Sequence, residues 1–231
     1  MKRFEDFYYE ARSDKWFRNF AIFCRFALAA SFIPTGYVKI VGKRFAEGLP
    51  HNNPLGHYFD ALYLTGYYYS FIGIAQLIIA FLLLIPRTSL LGAIMCFPMI
   101  VNITVLTYAT RFDGTRLVTM ALLANIYLLL WNYDRLKQLL PFKLAPPVPP
   151  PSGPNKRLRL LFFGGSIILL AVIIVGTFYL YEITPGNSEE ECRVSCSGNA
   201  DPASCQVFCD CIYKEGHSLD SCLAAYNKAR K

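Results

Sequence analysis

The chain has 231 residues, of which 54% are hydrophobic and only 17% charged, and it carries a net charge of +7. That is too apolar for an ordinary soluble domain and matches the profile of a multi-spanning membrane protein. In such a chain an excess of basic residues marks the loops on one side of a bilayer, so nucleic acid is not an expected partner.

The first stretch, MKRFEDFYYEARSDKWFRNF, is not expected to be a signal peptide, because Glu5, Asp6, Glu10 and Asp14 interrupt it. Phe4, Phe7, Tyr8 and Ala11 recur at helical spacing. Residues 1–18 therefore read as an amphipathic helix lying in the membrane interface, with Trp16 and Phe17 at headgroup level. Apolar runs long enough to span follow at about 19–41, 62–85, 89–109 and 116–133. These four carry prolines and polar residues and read as a packed bundle. Residues 145–154, APPVPPPSGP, cannot be helical and predict an extended linker within 138–156. The run at about 160–181 is the most uniformly apolar and reads as a separate, lipid-facing anchor, the fifth span, within 157–182. The predicted class is thus all-α: a transmembrane four-helix bundle (19–137), a fifth transmembrane helix, and a small disulfide-bonded helical domain at 187–231.

Basic residues predict the orientation. With the N-terminus inside, twelve lie on the inner side: Lys2, Arg3, Arg12, Lys15, Arg18, Arg87, Arg135, Lys137, Lys143, Lys156, Arg157 and Arg159. Five lie outside: Lys39, Lys43, Arg44, Arg111 and Arg116. This asymmetry predicts a chain of the bacterial inner (cytoplasmic) membrane, with a cytoplasmic N-terminus and an external, periplasmic tail.

The tail holds six of the eight cysteines. Outside the cytoplasm disulfides persist. Ser188 with Glu191 reads as a capping box, Asp201-Pro202 as an N-cap followed by proline, and Ser218 as a third cap. Cys192 and Cys196 share one face of a first helix, and Cys205 and Cys209 one face of a second. The short loop at 197–201 makes these helices antiparallel. Outer then meets outer and inner meets inner, predicting Cys192–Cys209 and Cys196–Cys205. Cys211 is turned about 200° from Cys209 and is left to meet Cys222. So small a domain needs such bridges. No C-x-x-C occurs, either for thiol exchange or for zinc, and no metal ligands are assigned. Cys24 and Cys96 fall inside spans and read as small apolar residues.

Polar groups within spans are candidates for function. Lys39, Gln76, Asn102, Asn125 and Arg116, with Tyr68 and Tyr108, could line a pocket open to the outside. They could equally serve as hydrogen-bonding links between helices. Asn102, Asn125 and Gln76 are expected to point inward, towards one another or Lys39. Arg25 is expected to reach the inner surface or pair with Asp134. His51, His57 and His217 lie outside the spans, so an intramembrane haem with histidine ligands is not expected. No nucleophile has an evident base partner, so no catalytic residue is assigned.

The stretches RFALAASFIPTGYVK (25–39), Gly66, FIGIAQ (71–76), LLLIPRTSLLGA (82–93) and WNYDRLK (131–137) together resemble the DoxX family of small four-helix membrane proteins, over about residues 19–137. The resemblance implies a bundle. It also implies an association with quinone-linked sulfur oxidation or with thiol stress systems, as in some members. Three functions follow as expectations. The first is an accessory or scaffold subunit of a larger membrane complex, without catalysis or cofactor, that presents its stapled tail to a partner. The alternative is a redox subunit passing electrons or thiol equivalents between a quinone and an external partner. The last is a small-molecule carrier.

Overall fold

Asp14 divides the first segment in two. Its backbone is extended (φ −89°, ψ 131°) and its carboxylate accepts the amide of Trp16, so it caps a new helix. The computed structural model describes residues 2–139 and 156–230, with side chains from residue 7 to 137 in the first part. Every regular element among them is helical. Helix α1 is Lys2–Ser13 and α2 is Lys15–Ile40. The second predicted span takes in all of α4 (Tyr67–Leu84) and only the last two residues of a separate helix before it, α3 (Pro54–Tyr63). Gly66, at φ +62°, breaks the run between them, a conformation that side-chain-bearing residues resist. Next come α5 (Ser89–Ala109), α6 (Thr115–Trp131), α7 (Tyr133–Leu139) and α8 (Lys156–Tyr179). The Pro-rich stretch at 145–154 lies outside the described residues. Helices α2, α4, α5 and α8 are long and apolar enough to cross a membrane, and α6 is a shorter apolar helix.

Helices α2, α4, α5 and α6 form a ring, each touching the next, with α6 returning to α2. Small residues permit the closest approach. A Cβ on Gly73 would lie 2.7 Å from the Gly36 carbonyl oxygen, and one on Gly36 would lie 2.8 Å from that of Gly73. The two backbones are therefore in contact. Inside the ring lie Leu28 and Phe32 of α2, Ile79 and Leu83 of α4, Cys96 and Ile100 of α5, and Leu128 of α6. Cys24 joins this core, so both unpaired cysteines are buried.

The end of the ring near α1 is braced by polar contacts. Tyr8 donates to the Trp131 carbonyl (3.0 Å), and Tyr9 to Asp134 (2.9 Å). Phe17 is buried against Phe162 (ring centres 4.8 Å apart) and does not sit at a surface level with exposed Trp16. Arg25 is half-buried and does not pair with Asp134. It donates to the carbonyls of Leu83 and Leu84, both at 2.7 Å. The last carbonyls of α4 lack helical partners and Arg25 stands level with them, whereas Asp134 is engaged by Tyr9 and Lys137.

Helix α8 corrects another expectation. Most of its length is exposed, yet it is fixed to the ring at both ends. Arg159 pairs with Asp14 at 2.9 Å, and Phe162 and Phe163 join Phe17, Phe20 and Tyr127. At the other end, which we call the far end, Arg116 lies 3.8 Å from the Phe178 ring centre. Just beyond the helix, Tyr181 donates to the Tyr108 carbonyl at 2.8 Å. A uniformly apolar sequence gives no sign of docking held by its termini.

Candidate functional site

The cysteine-rich tail folds at the far end. Helix α9 (Glu189–Ser195) runs into a 3-10 turn at Cys196–Gly198, followed by α10 (Pro202–Tyr213) and α11 (Leu219–Ala229). Ser188, Asp201 and Ser218 each accept an amide in the first turn they precede. The capping box is shifted by one residue: Glu191 reaches back to the amide of Asn187 at 2.9 Å, not to that of Ser188. Disulfides join Cys192 to Cys209, Cys196 to Cys205 and Cys211 to Cys222, with Cα separations of 5.9, 5.4 and 5.5 Å. This is the pairing that two facing i, i+4 stripes require. All six are buried, around Phe208, Ile212 and Tyr226. The sulfurs of Cys196, Cys205 and Cys209 fall within 4.8 Å of one another, with Cys196 and Cys209 in contact at 3.6 Å although each is bonded elsewhere. Arg193 bridges α9 to α10 by pairing with Asp210 as well as with Glu189.

The tail does not stand free. Asn53 caps α3 through its side-chain oxygen, which accepts the amides of Leu55 and Gly56. The same side chain's NH2 donates to the Gly186 carbonyl (2.9 Å) and the Tyr213 hydroxyl (3.0 Å). That hydroxyl donates in turn to the Pro185 carbonyl at 2.9 Å. Asn52 donates to the Tyr213 carbonyl at 2.8 Å, and Arg111, at φ +52°, donates to the Ile183 carbonyl at 2.8 Å. Asn53 and Tyr213 are both buried. Burial raises the Tyr213 pKa, the Asn53 bond opposes that rise, and the nearby carboxylates Glu191, Asp113 and Glu189 add to it. The phenol therefore stays neutral and able to donate. Sequence reasoning missed this latch. Asn53-Pro54 is a legible N-cap with proline at the first helical position, but nothing local says where the amide nitrogen goes.

The predicted intramembrane residues do not converge on one pocket. Lys39 and Gln76 are buried and flank the Gly36–Gly73 contact. Lys39 donates to its own helix at Thr35 (3.0 Å) and lies 4.1 Å from the Phe45 ring centre. Asn125 is buried elsewhere, donating at 3.1 Å to the Ala93 carbonyl. Ala93 begins the second turn of α5, far from Tyr108 at its other end. Among the described residues, the side-chain oxygens of Gln76 and Asn125 find no hydrogen-bond partner. Asn102, expected inside, is exposed. The inward stripe of α5 is Ile100, Thr104 and Thr107, and Asn102 is turned about 200° from Ile100. Tyr68 is exposed, its buried neighbour being Tyr69. Tyr108 pairs with Thr119 at 3.2 Å, and Arg116 turns to α8.

A second polar cluster ties the segment before α3 to that helix. Asp60 accepts Arg44 (2.5 Å) and His51 (2.7 Å), while Arg44 also donates to the carbonyls of Leu49 and Gly56. Burial raises the Asp60 pKa, but His51 and Arg44 outweigh it and the net shift is downward.

No model of a known protein family matches this chain, and no solved structure matches it. A curated relative does: the uncharacterized protein YwoB of Bacillus subtilis (strain 168), 35% identical over 128 residues. The match takes in 81% of YwoB and 53% of the chain described above.

Proposed function

This chain belongs to the same family as YwoB, and from its geometry we propose that it is an accessory or scaffold subunit of a complex in the cytoplasmic (inner) membrane. The DoxX-like ring and α8 span the bilayer with the N-terminus in the cytoplasm. The stapled tail lies outside, on the periplasmic face, and offers a fixed surface to another subunit. One observation carries this reading. All six tail cysteines are buried in disulfides, and the tail is latched to the ring through Asn52, Asn53 and Tyr213. An element held so closely is suited to recognition, because little ordering entropy is lost when a partner binds. The four long apolar helices support the membrane setting. Purification in mild detergent tests the proposal: a stoichiometric partner should accompany the full chain and be lost on truncation after Gly186. Repeated isolation of the chain alone would count against it.

The redox reading has one specific observation behind it, the 3.6 Å contact between Cys196 and Cys209. An external thiolate attacking Cys205 would release the Cys196 thiolate. Attack of that thiolate on Cys209 would join Cys196 to Cys209 and release the Cys192 thiolate; a second external thiol would then free Cys205 from its mixed disulfide, leaving the electron pair of two external thiols on Cys192 and Cys205. A quinone would be the membrane-side acceptor of the electrons. A mixed disulfide between Cys205 and a partner, trapped from the parent chain by rapid acid quench and alkylation, would favour this reading over the scaffold.

A further inference from the structure

A cleft opens at the far end of the ring, where the turn between α5 and α6 meets the end of α8. Tyr108, Arg111, Thr115, Arg116 and Thr177 are among its lining residues, and its volume is about 30 Å³. Two guanidiniums line it against one carboxylate, Asp113, leaving a net positive charge. Arg111 is partly engaged, donating to the Ile183 carbonyl and lying 4.7 Å from the Tyr181 ring centre. Arg116 is stacked over Phe178 but, among the described residues, donates no hydrogen bond. Its planar fork of donors is held in place and unused. The threonine hydroxyls spend their protons on helix carbonyls, Thr115 on Thr107 and Thr177 on Ile173. Recognition therefore falls to the guanidiniums.

We propose that this cleft binds the phosphate of a lipid headgroup, with Arg116 as its principal donor and Arg111 as the second. The proposal rests on the membrane reading above. A guanidinium fork matches two oxygens of a phosphate, where an ammonium offers a point charge. The cleft has room for about one or two water-sized oxygens. It would admit the non-bridging oxygens and leave the glycerol and acyl chains outside. The neighbouring residues there are exposed and apolar: Leu117, Val175 and Phe178. Cation and apolar flank thus sit together at the end of two membrane-length helices, the level at which a headgroup meets its chains.

Native mass spectrometry of the full chain in detergent tests this, using three probes: phosphatidylglycerol, diacylglycerol with the same chains, and inorganic phosphate. Phosphatidylglycerol should give retained adducts and diacylglycerol none. Arg116→Gln should lower phosphatidylglycerol occupancy about tenfold, the scale of one lost charge-assisted hydrogen bond. Among the described residues Arg116 donates no hydrogen bond, so this variant should lose only its contact with Phe178, remain folded and melt slightly below the parent in lipid-free detergent. If it does not fold, Arg116→Lys keeps the charge over Phe178 and should still bind less, lacking the fork. Unchanged occupancy in the folded variant, or equal binding of diacylglycerol, overturns the proposal. Binding of inorganic phosphate that displaces the lipid would reassign the cleft to a free anion. Carbonate extraction is read separately, because a chain released from membranes refutes the membrane reading and not the cleft.

Discussion

Replacing Asn53 by Asp should release the tail while leaving α3 in place. The carboxylate keeps the two oxygen-acceptor roles towards Leu55 and Gly56 that cap the helix. It removes the NH2 that donates to the Gly186 carbonyl and the Tyr213 hydroxyl. Each lost hydrogen bond is worth about 1 kcal/mol net, and the half-buried Gly186 carbonyl is left facing a negative oxygen. The expected weakening is about 2 kcal/mol, or roughly 30-fold in the opening of the junction. Asn53→Ala should lose the cap as well, adding about 1 kcal/mol and loosening α3. Hydrogen exchange of the full chain in detergent resolves these outcomes. Amides at 183–187 and around Tyr213 should exchange faster in Asn53→Asp, with those at the start of α3 unchanged. Equal protection of the tail junction in parent and variant would refute the latch.

Gly73→Val should separate α2 from α4, because the new Cβ would sit 2.7 Å from the Gly36 carbonyl oxygen; a loss of about 1–3 kcal/mol should lower the melting temperature in detergent. Replacing both Cys211 and Cys222 by Ser opens a loop of sequence separation 11 and should cost about 3 kcal/mol, read as a lower denaturant midpoint for the tail. Asp60 titrates below its unfolded value because His51 and Arg44 prevail over its burial. Its contribution to holding the 43–53 segment on α3 should be complete above about pH 4 and fade as pH falls through the lower folded value. Proteolysis within 43–53 should show that acid loosening in the parent, and a loop already loosened at neutral pH in Asp60→Asn.

What was legible in the sequence was local. The i, i+4 cysteine spacing and the caps at Ser188, Asp201 and Ser218 carry the tail's helices, and the short loop between the first two determines how the stripes face. Hydropathy identifies the bounds of α5 well because Pro86-Arg87 and the turn at Thr110 to Gly114 interrupt it on both sides. It starts the span of α4 about five residues early because Leu62, Tyr63 and Leu64, at the end of α3, are as apolar as the stretch beyond Gly66. Burial of a polar side chain was less legible, since it depends on helix rotation. Asn102 and Thr104 are two residues apart and look alike as polar interruptions, yet one is exposed and the other buried. The long-range partners left no local trace. Arg25 meets Leu83 and Leu84, Arg159 meets Asp14, and Asn53 meets Tyr213, each across 58 residues or more.

The scaffold proposal is tested most directly by photo-crosslinking in growing cells. A photoreactive residue would replace Val194 or Val207, the two large apolar residues exposed on the tail helices, with Phe23 on the exposed flank of α2 as the control. The account predicts a discrete, recurrent crosslinked protein from the tail positions that is not formed from Phe23. No discrete product from either tail position, in cells where the tail is folded and outside the membrane, would contradict it.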